Sequence, residues 1–449
     1  MIKTMQAIVF LLKRILPAPL FRFLQSPYHY LLAFLGALVY RFPSRKIQVI
    51  AVTGTKGKSS VVELVSAVLE EAGFKTALAN TIRFKIGEKS ERNMHKMTMP
   101  GRFFLQGFLR KAVQAECTHA IIEMTSEGAR HSRHKFIELD ALIFTNLAPE
   151  HIESHGSYEN YVAAKVSLAK ALQKSSAKSL HAEDGSAPFT KGRIKKLLVV
   201  NGDDKEAPKF LEVFTGEKVS FSRKDAKNSI VSSDGVAFDF DRVRIESKLP
   251  GEFNLYNILA AASFAKASGI SPKKIKLGIE KVTNIRGRAE KIDAGQPFEI
   301  IVDYAHTPDS LEKLYQTYAG KYRRCILGNT GGGRDVWKRP VMAEIAEKYC
   351  DEIILTNEDP YDEDPEKIIR EMAAGMKHKE PILILDRRAA IRHELQKASK
   401  GDVVLITGKG TDPYIMGPSG SKQVWDDATV VREELRRTLK KSEALISKS

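Results

Sequence analysis

The segment between Ile47 and Ala72 constrains the fold of this chain more than any other. An apolar run, Ile47–Thr53, leads into the glycine-rich loop GTKGKSS at residues 54–60, and apolar residues at helical spacing follow it. An uninterrupted apolar strand is typical of a parallel sheet, in which both faces of each strand are covered. The segment therefore predicts an α/β fold in which the first strand delivers a loop to the carboxyl edge of a sheet.

Short apolar runs alternate with helical stretches along most of the chain. In the first half, strands are predicted at Ile47–Thr53, Ala120–Glu123, Ala141–Thr145 and Leu197–Asn201, with helices at Ser60–Ala72, Phe103–Ala115 and Tyr158–Leu172. In the second half, strands are predicted at Glu299–Asp303, Cys325–Gly328, Glu352–Thr356, Pro381–Leu385 and Asp402–Thr407, with helices at Val341–Lys348 and Pro365–Met376. The stretch Ser175–Gly192 is rich in small and polar residues and predicts a surface loop.

A length of 449 residues exceeds what one hydrophobic core supports, so at least two sizeable domains are expected. We predict a short apolar and basic helical segment at residues 1–45, a central parallel-sheet domain at residues 46–285 and a Rossmann-like α/β domain at residues 286–449.

The loop at residues 54–60 has the chemistry of a phosphate-binding loop of the P-loop type. Its glycines permit close approach of the backbone, and the N–H groups at the start of the next helix attract phosphate oxygens. Lys58 is positioned to reach the outer phosphates of a nucleotide, and Ser59 to ligate Mg²⁺. The general motif has glycine where this chain has Val52, so the motif is not strictly met.

The charge and cysteine content narrow the possible partners. A formal net charge of +16 is compatible with nucleic acid, an anionic membrane surface or nucleotides. The basic residues are spread along the chain without a zinc-finger or RNA-binding signature, so no nucleic-acid partner is expected. Cys117, Cys325 and Cys350 are odd in number and widely spaced, which predicts reduced cysteines in a cytoplasmic protein.

The N-terminal 45 residues leave two alternatives open. Their longest uncharged run, Phe23–Tyr40, contains polar residues and a proline, which makes it marginal for a membrane span. With lysines and arginines interleaved, the segment predicts either a helix lying in the interface of an anionic membrane or helices packed on the body of the protein. The first alternative would place the protein peripherally at the inner face of the membrane.

Polar side chains follow several of the predicted strands. Glu123 ends one strand, and His151 follows the next one along the chain. In the second half, Asp303 and Arg334 also follow strands. Ligands bind at the carboxyl ends of strands in open parallel sheets, so these four residues are candidates for one site.

Several motifs, in order between residues 47 and 435, resemble those of the Mur ligase family and most closely its UDP-N-acetylmuramoyl-tripeptide synthetase branch. They are TGTKGKSS, EMTSE, TNLAPEHIESHGSYENYVAAK, GEFNLYN, GRAE, VDYAHTPDSL, GGGRDVWKRP and TGKG. The resemblance implies a central ATPase domain and a C-terminal ligase domain. It also implies a ligase that uses ATP and Mg²⁺ to activate a muramoyl-dipeptide carboxylate as an acyl phosphate and adds the third amino acid.

The resemblance also assigns roles to individual residues. Lys58, Lys165, Glu123, His151 and Arg288 would be catalytic; Ser59, Glu123, His151 and a carbamylated Lys165 would hold metal. The implied ATP-binding residues are Gly54, Thr55, Lys56, Gly57, Lys58, Ser59, Ser60, Asn257, Arg288, Asp303 and Arg334. The positions matching contacts of the acceptor, a UDP-muramoyl peptide, are Thr98, Pro100, Thr125, Ser126 and Arg133. The positions matching the segments that concern the incoming amine are Asp359, Tyr361, Gly408, Lys409 and Asp412.

The sequence departs from the family pattern where partners are recognised. The segment commonly read as Asp-Asn-Pro-Arg in diaminopimelate-adding members is Glu358-Asp359-Pro360-Tyr361, so the arginine that would grip a second carboxylate is replaced. Glu127 and Glu150 replace a usual histidine and aspartate. Before the loop, this chain has residues 1–45 where a standard member has a uridine-binding domain. The acceptor is therefore either a UDP-muramoyl peptide or a related lipid-linked or folate-like acid, and a non-catalytic nucleotide-binding scaffold is the alternative from another class.

Overall fold

The computed structural model describes residues 18–150, 152–176, 178, 195–333 and 335–446, with backbone alone for residues 18–26, 152 and 438–446. His151, Arg334 and most of the predicted loop at Ser175–Gly192 lie outside the described residues.

The central part is built on an eight-stranded sheet with the order β4-β3-β2-β5-β1-β6-β7-β8. Six of these strands are parallel, and β3 and β4 extend the β2 edge as an antiparallel hairpin. The strands are β1 (Gln48–Thr53), β2 (Thr76–Ala79), β3 (Arg83–Ile86), β4 (Lys89–Arg92), β5 (His119–Glu123), β6 (Ala141–Phe144), β7 (Leu197–Asn201) and β8 (Glu217–Phe221).

Helices cover both faces of this sheet. They are α1 (Ala18–Val39), α2 (Lys58–Glu71), α3 (Arg102–Gln114), α4 (Ser126–Arg130), α5 (Ile152–His155), α6 (Tyr158–Lys174), α7 (Ala207–Glu212), α8 (Glu252–Ala267) and α9 (Pro272–Glu280). Ile50 and Val52 of β1 face a core shared with α2 and α8, whereas Val49 and Ala51 face a core shared with α3 and α6. Burial on both faces explains why β1 reads as a continuous apolar run.

A separate antiparallel sheet follows β8. It has the order β11-β10-β9 and consists of β9 (Lys227–Val231), β10 (Val236–Phe240) and β11 (Val243–Ser247). The apolar patterns of the sequence did not predict this sheet. In β10, Val236, Phe238 and Phe240 are buried while the residues between them are partly exposed, which is the alternation of a sheet covered on one face.

The C-terminal part has a six-stranded sheet with the order β12-β13-β17-β14-β15-β16, parallel except for β12. The strands are β12 (Glu290–Lys291), β13 (Glu299–Val302), β14 (Arg323–Leu327), β15 (Glu352–Leu355), β16 (Ile382–Leu383) and β17 (Val403–Ile406), and the hairpin β18 (Tyr414–Met416) and β19 (Lys422–Val424) follows. The helices are α10 (Pro308–Thr317), α11 (Lys338–Tyr349), α12 (Pro365–Ala373), α13 (Arg387–Lys397) and α14 (Asp427–Ile446). The predicted α/β class, with two parallel-sheet units in sequence, is confirmed. The boundary near residue 285 stays a prediction.

One prediction from the cysteines is wrong. Cys325 of β14 and Cys350, which follows α11, form a disulfide, with their Cα atoms 6.1 Å apart. Their 25-residue separation gave no sign of this pairing, because β14 and α11 bring the two residues together only in the folded chain. Cys117 is a free buried thiol, and burial raises its pKa.

The helix α1 packs on the body of the protein through one face. Ala33 and Ala37 are buried, and a side chain at Gly36 would meet the backbone of Arg102 at the start of α3. The opposite face exposes Leu31, Phe34, Leu35 and Leu38. Within the described part of the chain, no helix is both long and apolar enough to cross a membrane.

Candidate functional site

The loop after β1 passes close to two neighbouring segments. Gly54 has φ +149°, and a Cβ atom there would lie 2.0 Å from Thr145 Oγ1. Gly57 has φ +82°, and a Cβ atom there would lie 2.1 Å from Asn257 Oδ1 of α8. Both positions therefore require glycine, since a side chain would be strained as well as obstructed. Val52, where the general motif has glycine, is a core residue of β1.

A cation, a hydroxyl group and a carboxylate meet where the loop enters α2. The parallel pairing sets Glu123 of β5 opposite Val52, at the carboxyl edge of the sheet. Ser59 Oγ donates a hydrogen bond to Glu123 Oε2 at 2.8 Å, and Lys58 Nζ lies 3.8 Å from Glu123 Oε1. Thr81 also donates to Glu123, through its backbone N–H and its hydroxyl group at 3.0 Å each. The serine oxygen and the carboxylate are hard ligands of the kind that Mg²⁺ prefers.

Lys165 lies beneath this loop on α6. Its side chain is 2% exposed, and Nζ donates to the carbonyl of Gly54 at 2.5 Å and lies 4.8 Å from the centroid of the Tyr161 ring. Burial, followed by the repulsion of Lys58, holds the pKa of Lys165 well below its usual value. A lysine with a lowered pKa has more of the neutral amine, which is the form that reacts with carbon dioxide.

The C-terminal part contributes an arginine to the same place. Arg288 Nη2 lies 3.4 Å from Ser59 Oγ, and its guanidinium group stands 4.7 Å from the centroid of the Tyr304 ring. Asp303, at the end of β13, accepts backbone hydrogen bonds from Ala289 at 2.5 Å and Ala305 at 2.6 Å. Burial raises the pKa of Asp303, which Arg288 opposes. Asp303 thus fixes the loop that carries Arg288.

A second contact between the two parts of the chain involves Glu150 and His306, which were not predicted as site residues. Glu150 accepts from Lys56 Nζ at 3.0 Å, and its Oε1 lies 3.2 Å from His306 Nε2. Burial and then Lys56 lower the pKa of His306 to about 4. Both residues lie inside family-like motifs, so the motifs contained the signal, but a pair 156 residues apart becomes visible only in the fold.

The predicted acceptor-side residues gather near the β2–β3 turn and α4. Thr98 Oγ1 lies 2.8 Å from Thr81 Oγ1, and Thr125 caps α4 by accepting from the backbone of Gly128 at 3.0 Å. Ser126 Oγ lies 3.2 Å from His155 Nε2, and Arg133 donates to the carbonyl of Met99 at 2.5 Å. Pro100 belongs to this segment and is partly exposed. Thr81 links this group to Glu123.

The predicted amine-side residues form a dense charged cluster. Lys409 is fully buried, and its Nζ lies 2.9 Å from Asp359 Oδ1 and 3.0 Å from Asp412 Oδ2. Lys96, from the central part, reaches the same carboxylates at 2.6 and 3.1 Å. Gly408 has φ +102°, and a side chain there would collide with Glu358.

Lys96 is a residue that the sequence analysis missed. It lies in a polar segment after β4 without a recognisable motif, and its Nζ stands 5.8 Å from the centroid of the Tyr361 ring. The structure thus gathers Lys58, Ser59, Glu123 and Arg288 in one group and Asp359, Lys409 and Asp412 in another. The roles predicted for them stay predictions.

Comparison with known proteins gives matches along most of the chain. Residues 52–265 match the Mur ligase middle domain, and residues 287–410 match the Mur ligase glutamate ligase domain. The chain is 36% identical over 423 residues to a UDP-N-acetylmuramoyl-L-alanyl-D-glutamate–2,6-diaminopimelate ligase of Syntrophomonas wolfei, covering 91% of this chain and 82% of that protein. It is also 36% identical over 426 residues to a UDP-N-acetylmuramyl-tripeptide synthetase of Roseiflexus, covering 90% and 81%.

Solved structures of known proteins show a similar fold. A UDP-N-acetylmuramoyl-L-alanyl-D-glutamate–2,6-diaminopimelate ligase superposes with a TM-score of 0.57 at 26% identity, over 87% of this chain and 79% of that one. A folylpolyglutamate synthase of Mycobacterium tuberculosis gives 0.64 at 15% identity, over 86% and 93%, which is a likeness of fold.

Proposed function

Because this chain belongs to the Mur ligase family, we propose that it is an ATP-dependent ligase of peptidoglycan-precursor synthesis that adds the third amino acid to a muramoyl dipeptide. It transfers a phosphoryl group from ATP to the dipeptide carboxylate and then joins the acyl phosphate to an amine, with release of phosphate. The observation that carries the proposal is the meeting of Lys58, Ser59, Glu123 and Arg288 between the two parts of the chain.

The phosphoryl step rests on positioning and on charge. The backbone N–H groups at the start of α2 and the Lys58 ammonium group hold the outer phosphates, and Arg288 approaches the same position from the other domain. Glu123 orients Ser59 through a hydrogen bond and holds Lys58 beside the phosphate position through an ion pair. Asn257, packed over Gly57, lies next to the nucleotide side of the loop.

Mg²⁺ fits the donors around Ser59, and when bound it neutralises phosphate charge. Ser59 and Glu123 supply two oxygen ligands, and a carbamate on Lys165 would supply a third group with a negative charge. The lowered pKa of Lys165 supports this modification, because the neutral amine is the reactive form. An unmodified ammonium group would repel the cation instead. His151 is the remaining predicted ligand.

The cluster of Asp359, Lys409 and Asp412 holds the incoming amino acid. Its carboxylates suit the ammonium group of an α-amino acid, and the buried Lys409 holds both of them in place. Tyr361 stands where a diaminopimelate-adding enzyme commonly has arginine. A second carboxylate on the amino acid would therefore lack the two parallel hydrogen bonds that an arginine side chain provides. We therefore expect an amino acid other than diaminopimelate to be the better substrate.

The acceptor is a UDP-muramoyl dipeptide, bound along Thr98, Thr125, Ser126 and Arg133. A lipid-linked muramoyl peptide is the second candidate, and the exposed face of α1 favours it. Leu31 is 54% exposed and Leu38 51%, and Leu35 belongs to the same apolar stripe, while Tyr30 and Phe34 flank it with their rings against Phe136. We propose that this stripe, together with the basic residues of the first 46 positions, attaches the protein peripherally to the anionic inner face of the cytoplasmic membrane.

The test is a ligation assay with the full chain, ATP, Mg²⁺ and single amino acids. The acceptor is supplied as UDP-muramoyl dipeptide in one arm, as its lipid-linked form in a second and as a folate acid in a third. Phosphate release that requires both an acceptor and an amine, with a product heavier by one amino acid, supports the proposal. ATP binding without turnover in every arm would instead favour the scaffold, and turnover with a folate acid alone would favour the folate-like acceptor.

A further inference from the structure

A cluster outside the proposed active site lies at the opposite edge of the C-terminal sheet. Glu352 is the first residue of β15, and His393 and Glu394 are neighbours on α13. One ligand atom from each residue lies within 4.8 Å of the other two. Because the strands are parallel, Glu352 marks their amino edge, whereas Asp359 and Lys409 lie beyond their carboxyl ends.

Three buried atoms of this cluster have no hydrogen-bond partner among the described residues: Glu352 Oε1, His393 Nε2 and Glu394 Oε1. Glu394 is 0% exposed, so water does not reach its carboxylate from outside. Buried polar atoms are almost always paired, and an unpaired carboxylate oxygen is especially costly. The three residues that converge thus each carry a buried polar atom whose hydrogen-bonding capacity is unused.

The surrounding charges do not satisfy these atoms. Arg324 binds the other oxygens of the two glutamates, Glu352 Oε2 at 2.5 Å and Glu394 Oε2 at 3.3 Å, and Asp402 Oδ2 at 2.8 Å. Lys397 Nζ lies 3.6 Å from Glu352 Oε1, which is an ion pair beyond hydrogen-bond range, and its side chain is half exposed. Three carboxylates therefore surround the Arg324 guanidinium group, whose side chain is 11% exposed, and the half-exposed Lys397 is a further cation beside them.

We propose that Glu352, His393 and Glu394 bind a divalent transition-metal ion, with Zn²⁺ as the best-fitting ion. Zinc accepts one histidine nitrogen and two carboxylate oxygens and completes a tetrahedral shell with water. Mg²⁺ and Ca²⁺ prefer oxygen ligands throughout, so the imidazole selects against them. Arg324 binds the other oxygen of each glutamate and so orients both carboxylates, as residues that hydrogen-bond to metal ligands commonly do.

The ion would have a structural role. It would join α13 to the start of β15, two elements separated by about one strand and one helix along the chain. Because the cluster lies at the edge opposite the ligation residues, its loss should lower the melting temperature while the ligation rate at low temperature stays unchanged. This role is independent of the proposed ligase function, so the two can fail separately.

The experiment uses untagged full-length protein, stripped with a chelator and titrated with Zn²⁺ in the presence of excess Mg²⁺, which occupies the hard oxygen sites. Isothermal titration should give one tight site per chain. His393→Ala and Glu394→Gln should each weaken it by about tenfold or more, since each removes one ligand. His378→Ala is the matched control, because His378 is an exposed histidine that is not one of the three residues of the cluster.

His393→Ala keeps the test meaningful if Glu394→Gln fails to fold, since His393 Nε2 makes no hydrogen bond within the described chain. X-ray absorption at the zinc edge should show nitrogen and oxygen ligands without sulfur, and Zn²⁺ should raise the melting temperature of the wild type and not that of His393→Ala. Equal Zn²⁺ affinity in wild type and His393→Ala, or no tight site in the wild type, would overturn the proposal. In the second case, a proton shared between the two glutamates would be the better account of the cluster.

Discussion

Lys96→Met tests whether the central part of the chain helps to build the amine site. Lys96 crosses between the two parts and lies 2.6 Å from Asp359 and 3.1 Å from Asp412. Methionine keeps much of the aliphatic length and removes the charge. Lys89→Met is the matched control, since Lys89 is an exposed lysine of the neighbouring strand β4.

The expected change in KM follows from the contacts that Asp359 keeps after the substitution. A hydrogen bond to a charged group contributes about 1.5–3 kcal/mol, and each 1.4 kcal/mol corresponds to about a tenfold change in affinity. Asp359 would keep its contacts with Lys409 at 2.9 Å and with the backbone N–H of Met416 at 2.8 Å, and Lys96 is 20% exposed. Both facts favour the lower end of the range, so we expect the KM for the amine to rise about tenfold.

The assay is steady-state phosphate release with one substrate varied at a time. In Lys96→Met, the KM for the amino acid should rise while the KM for ATP stays within about twofold, because the Lys58 and Arg288 contacts are untouched. The control should match the wild type for both substrates. An unchanged KM for the amine, or equal increases for ATP and amine, would show that Lys96 does not shape the amine site.

Four further predictions concern the loop, the buried lysine, the apolar stripe and the response to pH. Lys58→Ala should lower ATP turnover by about 100-fold or more, because the phosphates lose their ammonium partner, whereas the exposed Lys75→Ala should not; wild-type turnover in Lys58→Ala would reject the loop assignment. Carbon NMR with labelled bicarbonate should show a carbamate signal in the wild type that Lys165→Ala lacks, and short carboxylates should partly restore that variant; a wild-type spectrum without the signal would count against the modification. Leu31→Glu with Leu35→Glu should abolish co-sedimentation with anionic vesicles, whereas Leu277→Glu, at an exposed leucine of α9, should not; binding that survives the double change would exclude the stripe. Burial lowers the pKa of His134 to about 3, so the unfolded chain takes up the proton first as the pH falls. The contribution of His134 to stability is full above pH 6.5 and is lost by about 1.4 kcal/mol per pH unit from pH 6.5 down to about pH 3. Urea unfolding of His134→Asn should therefore show a shallower acid loss than the wild type or His378→Asn.

Much of the fold could be predicted because it depends on local patterns. The apolar run of β1, the glycines at 54 and 57 and the helical spacing of α2 agree on one local structure, and the parallel sheet follows from burial on both faces. Boundaries differ by a few residues at most in these elements, as with β1, which begins at Gln48 rather than Ile47. The motifs identified the family, since each preserves residue types that phosphate and carboxylate chemistry requires.

Contacts between distant segments were not predictable. Lys96 has no sequence signature, yet the closure of the two parts brings it to carboxylates 263 and 316 residues away, at Asp359 and Asp412. The partnership of Glu150 with His306 has the same origin, whereas β14 and α11 bring Cys325 and Cys350 together within the C-terminal part. Sequence spacing reports only neighbours on one element, whereas these pairs depend on how separate elements pack in the folded chain.

The helix α1 shows both what the sequence determines and what only the tertiary structure decides. Its sequence determined that it is apolar and basic, which permits both packing and membrane attachment. Only the tertiary structure decided that Ala33, Gly36 and Ala37 face α3 while Leu31, Leu35 and Leu38 face outward. Hydrophobicity is a property of the residues, but which side of a helix is covered depends on the surface it meets, and small residues let α1 approach α3 closely on one side alone.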